Sequence, residues 1–237
     1  MVKQVLSLVL LFSFSSVCAA KTLWSDFSVT YLNGNNYQVG DSDREVYTFE
    51  YAAGTDWGDA FLFVDRLKSA NGDYETYGEF TPRIRVSSFE TSWFKNVYVV
   101  PSIEMVANEF VGDNNYLLGL GTDLVIPGFN YVQLTGFHRN NERGDNSWQA
   151  TLVWALPIGP LIYDGFIDYA THVDNIVPGT NGKTHMNFTS QLKYDIAPHL
   201  NLDNKFYLGI EYVYWNNKFG IDGVDERNVN LLAKFHF

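Results

Sequence analysis

Apolar and polar residues alternate along most of this 237-residue chain, in segments separated by turn-forming residues. A period of two puts successive side chains on opposite faces of a β-strand, so that each segment has one apolar and one polar face. Each segment is close to the roughly 9–11 residues that a tilted strand needs to cross a bilayer. We identify twelve such segments: Trp24–Leu32, Arg44–Ala53, Gly58–Arg66, Gly78–Ser88, Asn96–Ala107, Asn115–Ile126, Phe129–Arg139, Ser147–Leu156, Leu161–His172, His185–Ile196, Phe206–Asn216 and Arg227–Phe237.

The connections between these segments alternate between long and short. NGNNYQVGDSD follows the first segment, KSANGDYE the third and DNIVPGTNGKT the ninth, whereas GTDW and Pro127-Gly128 make tight turns. Outer-membrane barrels have short periplasmic turns and longer external loops. Backbone groups in lipid must hydrogen-bond to one another, so the sheet has to close. The sequence therefore predicts an all-β fold: a closed antiparallel transmembrane β-barrel of 12 strands over residues 21–237. A soluble sandwich or lipocalin-like barrel also alternates, but it keeps its apolar residues inside.

Residues 1–20 have the pattern of a cleaved signal peptide. Lys3 gives a positive start, VLSLVLLFSF forms a short apolar core, and SSVCAA offers small residues for cleavage after Ala19 or Ala20. This apolar core is too short for a membrane helix, which disfavours a retained N-terminal anchor. Cys18 is the only cysteine and Val17 precedes it, which disfavours a lipoprotein site. We expect export into a Gram-negative cell envelope and a mature chain without disulfides.

Composition and the C-terminus agree with this prediction. Aromatic residues make up 16% of the chain and charged residues only 18%, as in barrels with aromatic girdles at both membrane interfaces. The net charge of −11 disfavours nucleic acid as a partner, because phosphates require Lys and Arg. The final segment NVNLLAKFHF alternates up to Phe237. It is typical of a last barrel strand that the assembly machinery recognises.

The third and ninth segments place unusual residues on the inner face. Ala60, Leu62 and Val64 suit lipid, which leaves a row of two acids and two rings facing the lumen: Asp59, Phe61, Phe63 and Asp65. In the ninth segment the same argument directs four residues inward: Asp164, Phe166, Asp168 and His172. Aromatic rings beside carboxylates suit a flat polar solute, because rings stack on bases and carboxylates accept hydrogen bonds. The rings also suit simple filling of a narrow lumen, and the pattern leaves both interpretations open.

Five segments carry a family resemblance. WGDAFLFVD (57–65), YGEFTPRIRV (77–86), YLLGLGTDL (116–124), YDGFIDY (163–169) and the terminal LLAKFHF occur in this order. The chain thereby resembles the Tsx-like nucleoside-specific channel family, and within it the OmpK-type outer-membrane proteins. The resemblance implies a monomeric twelve-stranded barrel whose narrow pore passes nucleosides by passive diffusion, in a family that includes bacteriophage receptors.

The resemblance also implies which residues contact the solute. The acid–aromatic–aromatic–acid strand, the glutamate and arginine around the proline, the acid of the LGTD segment and one ring of the ninth strand match Asp59, Phe61, Phe63, Asp65, Glu79, Arg83, Asp123 and Phe166. Thr81 stands where the resemblance predicts a second acid.

Three classes of function remain in view. The first is a substrate-selective diffusion channel, which needs no cofactor, no metal and no catalytic residue, and whose partners are small solutes, outer-membrane lipids and the barrel assembly machinery. The second is a general porin or a surface receptor or adhesin, with bacteriophage as a possible partner. The third is an outer-membrane enzyme. It is disfavoured because there is no nucleophile motif and because His172 and Asp168, on one strand, lie about 13 Å apart.

Overall fold

The computed structural model describes residues 21–108 and 112–237, with only the backbone of Glu90. It contains twelve antiparallel strands: β1 Thr22–Gly34, β2 Arg44–Thr55, β3 Gly58–Ser69, β4 Tyr74–Glu90, β5 Phe94–Asn108, β6 Gly112–Leu124, β7 Tyr131–Asn140, β8 Ser147–Ile158, β9 Leu161–Ala170, β10 His185–Asp195, β11 Phe206–Asn216 and β12 Glu226–His236. Each strand pairs with its neighbours in sequence, and β1 pairs with β12, so the sheet forms a closed barrel. The predicted fold is confirmed. The predicted signal peptide lies outside the described residues.

Two short helical turns interrupt the connections. Helix α1 spans Ala197–Leu200, and a 3₁₀ turn spans Lys218–Gly220. In the part of the chain described, no helix has the length and apolar character needed to cross a bilayer.

Each of the twelve predicted segments is a strand, and the differences lie at the ends. Most of the loop predicted after the third segment belongs to the two strands, because β3 and β4 continue to pair as far as Lys68 and Tyr74. The ninth strand ends at Ala170, two residues earlier than predicted. The last strand ends at His236 rather than Phe237, although the Phe237 amide still donates to the Phe27 carbonyl at 2.9 Å.

The outer face of the sheet is apolar and its inner face is polar, which is the reverse of the arrangement in a soluble barrel. Leucines on the outer face are largely exposed, including Leu118 at 61%, Leu120 at 66% and Leu231 at 67%. Asn228 and Asn230, which alternate with the outer residues of β12, are only 1% exposed. Exposed apolar residues outside and buried polar residues inside are the arrangement of a barrel that meets lipid with its outer face.

The barrel has two distinct ends. Both ends of the described chain lie at the one we call the terminal end, together with connections 56–57, 91–93, 125–130, 159–160 and 196–205. The opposite end, which we call the loop end, carries connections 35–43, 70–73, 141–146, 171–184 and 217–225. Connection 171–184 is the longest of the described connections at either end, and its position at the loop end agrees with the predicted alternation of long loops and short turns.

Candidate functional site

The inner faces of β3 and β4 form one wall of the lumen. Cross-strand pairing sets residues of the two strands side by side on this face: Asp59 with Arg83, Phe61 with Thr81, Phe63 with Glu79 and Asp65 with Tyr77. Because β3 is regular from Gly58 to Ser69, its period of two keeps all four of its inner residues on one face. Six of the eight residues predicted to contact a solute therefore lie on one continuous wall.

An aromatic row runs along this wall. The ring centroids of Phe61 and Phe63 are 5.9 Å apart, and those of Phe63 and Tyr77 are 5.6 Å apart, which is within the range of favourable ring contacts. Phe61 is 40% exposed although it faces inward. The lumen is therefore open to solvent beside this ring, and the ring is not fully used in packing.

Arg83 joins two strands of the wall to a third at the terminal end. Its guanidinium lies 3.3 Å from Asp59 and 2.5 Å from Asp123. It also lies over the ring of Tyr98, 4.0 Å from the centroid. The Tyr98 hydroxyl donates to Asp123 at 2.7 Å, and the Asn96 amide donates to it at 3.2 Å. This network fixes Arg83, and two carboxylates balance its single charge.

Glu79 lies nearer the middle of the same wall and has only neutral partners among the described residues. Its carboxylate accepts hydrogen bonds from Thr81 at 2.6 Å and from Ser102 at 3.2 Å. Thr81, which stands where the resemblance predicts an acid, thus acts as a hydrogen-bond donor to Glu79. Farther toward the loop end, one carboxylate oxygen of Asp65 is buried without a hydrogen-bond partner in the described chain.

Phe166 belongs to a different wall. It lies on β9 between Val153 of β8 and Thr189 of β10. In the closed order of twelve strands β9 is six places from β3, which is the opposite side of the lumen. Asp168, two residues along β9, accepts hydrogen bonds from Thr151 at 2.5 Å and Gln149 at 3.2 Å. The structure therefore places six of the predicted residues on the wall of β3 and β4, Asp123 on β6, and Phe166 on a second wall that faces the first.

His172 does not belong to either wall. The prediction that it faces the lumen is wrong, because β9 ends at Ala170 and His172 lies in the connection to β10. Its side chain is 60% exposed, and Nε2 lies 3.8 Å from Asp174.

Several lumen residues were not identified from the sequence. Arg139 of β7 makes two hydrogen bonds to Glu104 of β5, at 2.7 and 2.6 Å, and a further bond to Gln149. The alternation places both charged residues on the inner face. Their partnership crosses β6, however, and depends on how far each strand is staggered against the next. That stagger has no signature within a single strand.

The buried basic residues of the inner face all have acidic partners. Four basic residues on the described strands make five such ion pairs: Arg83 with Asp59 and with Asp123, Arg139 with Glu104, Lys193 with Asp164, and Lys234 with Glu50. By contrast, three inner carboxylates have hydrogen bonds only to neutral groups: Glu79, Asp168 and Glu211. A carboxylate or phosphate in the lumen would therefore compete with acids that already pair with these four basic residues.

No group of three or more His, Cys, Asp or Glu side chains able to hold a metal ion occurs in the described ranges.

Solved structures share this architecture. The KdgM porin has a TM-score of 0.52 and 9% identity over 90% of this chain and 99% of that one, and so does its complex with disordered oligogalacturonate. The fold is that of an outer-membrane porin. OprD of Pseudomonas aeruginosa matches with a TM-score of 0.43 and 11% identity, over 87% of this chain and 62% of the OprD chain. With its apolar outer face, this multi-pass barrel is an outer-membrane protein. No family model and no curated protein matches the sequence.

Proposed function

We propose that this barrel is a channel for passive diffusion of small solutes, selective for neutral solutes that contain a ring, such as nucleosides. The observation that carries the proposal is the aromatic row of Phe61, Phe63 and Tyr77, in which Phe61 is 40% exposed, with Phe166 on the facing wall. A base stacks on such rings with about 1–3 kcal/mol per base. The neighbouring Glu79 and Asp65 provide acceptors for ribose hydroxyls.

The charge arrangement supports neutral solutes over anions. The KdgM porin has been solved with an oligogalacturonate, which is a polyanion. In this chain the buried inner Arg and Lys residues are each paired with carboxylates. Releasing one of them to bind an anionic solute would leave an acid without its cation in the lumen, which is unfavourable.

A general small-solute channel without ring selectivity is the alternative. The aromatic residues of the wall also contact one another, and a row that only fills the lumen would pass any solute below a size limit. The two functions differ in whether the solute binds. Binding weak enough to allow release is the condition for selective passage.

Single-channel recording and liposome swelling with purified protein separate these functions. We expect nucleosides to block ion current in a concentration-dependent way and to cross faster than hexoses of smaller mass. We expect nucleotides and galacturonate oligomers to cross more slowly than nucleosides. Equal permeation by all neutral solutes of similar size would contradict ring selectivity, and an absence of conductance would contradict channel function.

A further inference from the structure

The connection between β1 and β2, residues 35–43, folds against the inner face at the loop end. The Tyr37 side chain is 9% exposed and packs with three buried residues: Leu32 of β1, Val46 of β2 and Leu232 of β12. Its hydroxyl donates to Asn230 of β12 at 3.2 Å. All four partners alternate with outer-face residues, so the ring of Tyr37 lies inside the barrel.

Two further bonds hold the connection to β12. The Gln38 amide donates to Glu226 at 2.8 Å, and the Asn36 side chain donates to the Arg227 carbonyl at 2.8 Å. Three consecutive residues, 36 to 38, are therefore attached to one strand. A segment with this many fixed bonds behaves as part of the wall rather than as a free loop.

A second connection closes over the same position. Lys218, in the connection between β11 and β12, pairs with Glu226 at 2.5 Å and is 6% exposed. Its ammonium lies 5.6 Å from the centroid of the Tyr37 ring, and the guanidinium of Arg44 lies 5.3 Å from that centroid. Tyr37 is thus held by cations from two directions as well as by apolar contacts.

Gly34 makes room for this arrangement. A Cβ atom at Gly34 would lie 1.8 Å from Oδ1 of Asn230, the atom that accepts the Tyr37 hydrogen bond. A side chain there would displace Asn230 and with it the anchor of Tyr37.

The side of the lumen opposite Tyr37 is also filled. Tyr98 and Val100 of β5, Leu117 of β6 and Phe137 of β7 form a second buried cluster on the inner face, each 4% exposed or less. Strand β6 is six places from β12 in the closed order, so the two clusters lie on opposite sides of the barrel, with Tyr98 toward the terminal end and Tyr37 toward the loop end. The two remaining sides are the walls that carry Phe61 and Phe166.

We propose that the lumen is a slot rather than a round pore, and that Tyr37 is the specificity-determining residue that closes one side of it. The solute then passes edge-on between the Phe61 and Phe166 walls, in contact with a ring on each face. This inference rests on the proposed channel function and adds to it the shape that selects flat solutes.

The test compares Tyr37→Ala and Tyr37→Phe with the wild type in single-channel recording and liposome swelling. Removing the ring opens the slot on one side, so Tyr37→Ala should raise conductance by about twofold and admit bulky trisaccharides that the wild type excludes. Tyr37→Phe keeps the ring and should conduct like the wild type. Phe80→Ala, on the outer face, is the control for loss of an aromatic residue as such. Wild-type conductance and solute cut-off in Tyr37→Ala would overturn the inference.

A second measurement does not depend on Tyr37→Ala folding well. Cys18, within the predicted signal peptide, is the only cysteine of the chain, so Tyr37→Cys introduces a single thiol into the mature barrel. Labelling this thiol with a bulky maleimide should reduce the conductance of Tyr37→Cys, whereas unchanged conductance after complete labelling would place residue 37 away from the path. If the wild type conducts but ignores nucleosides, the proposed selectivity fails, and the Tyr37 results still decide the position of the constriction.

Discussion

Arg83 on β4 and Asp123 on β6 are 2.5 Å apart although β5 lies between their strands. The contact is possible because the long guanidinium side chain extends across the inner face over the ring of Tyr98. It ties three strands together at the terminal end of the lumen and offsets part of the negative charge of Asp59 and Asp123.

Replacing Arg83 should make the channel more cation-selective. Arg83→Gln removes the guanidinium that pairs with Asp59 and Asp123, so the ratio of potassium to chloride permeability should rise, as measured by the reversal potential in a salt gradient. Arg83→Lys keeps the charge and is the matched control. An unchanged ratio in Arg83→Gln would show that this network lies outside the ion path.

Replacing the aromatic row should weaken solute binding. The double variant Phe61→Ala/Phe63→Ala loses both stacking surfaces, and each contributes about 1 kcal/mol to the binding free energy. The dissociation constant for nucleoside block should therefore rise by about thirtyfold. Conductance without nucleoside should stay the same or rise, because the lumen widens. Phe80→Ala removes an outer-face ring and should leave block unchanged. Equal block in the double variant would assign the rings to filling alone.

Deleting Phe237 should reduce the amount of assembled barrel. The Phe237 amide extends the β1–β12 ladder through its bond to Phe27, and its ring lies 5.4 Å from that of Phe27 and 4.9 Å from that of Phe235. Heat-modifiable mobility in gels measures the folded fraction in outer membranes. Phe237→Trp keeps an aromatic residue at the end of the β1–β12 pairing and should assemble normally. Full assembly of the deletion variant would show that the terminal ring is dispensable.

The hold on connection 35–43 should weaken in acid. Asp41 accepts hydrogen bonds from the backbone amides of Asp43 and Asn71, which hold the pKa of its carboxyl below the ordinary value. A carboxyl with a lowered pKa stabilises the folded connection above its unfolded pKa, and this contribution disappears as the pH falls through the lower, folded value. Asp41→Asn should therefore increase open-channel current noise at pH 7, whereas at about pH 2 the variant and the wild type should behave alike. Identical noise at pH 7 would contradict this role for Asp41.

The alternation predicted the strands and the inner residues because both follow from one period within each segment. Phe61 and Asp65 could be placed in this way without any knowledge of their neighbours. The position of His172 could not, because the ladder of β9 stops at Ala170 and a strand end depends on its partners. The same limitation hid the bond between Arg139 and Glu104, whose strands are not neighbours in the sheet.

The buried position of Tyr37 could not be predicted from the sequence either, for a different reason. It lies in a polar segment that reads as an external loop, and nothing within NGNNYQVGDSD indicates that one ring turns inward. Its buried position depends on Asn230 and Leu232, almost 200 positions away in the chain. An inward loop of this kind can be recognised only when the pairing of β1 with β12, the closing seam of the barrel, is known.

That seam has a consequence for how the protein is made. Eleven of the twelve strand pairings join neighbours in the chain and can form as local hairpins, but β1 and β12 pair residues 28–33 with 231–236. Bringing such distant residues together costs entropy that grows with the logarithm of the separation. The pairing of the first strand with the last is thus the one that completes the sheet. Until β12 pairs with β1 during assembly in the membrane, β1 presents an unpaired edge that can recruit foreign strands. The closing of the barrel therefore ends a period in which this edge is vulnerable.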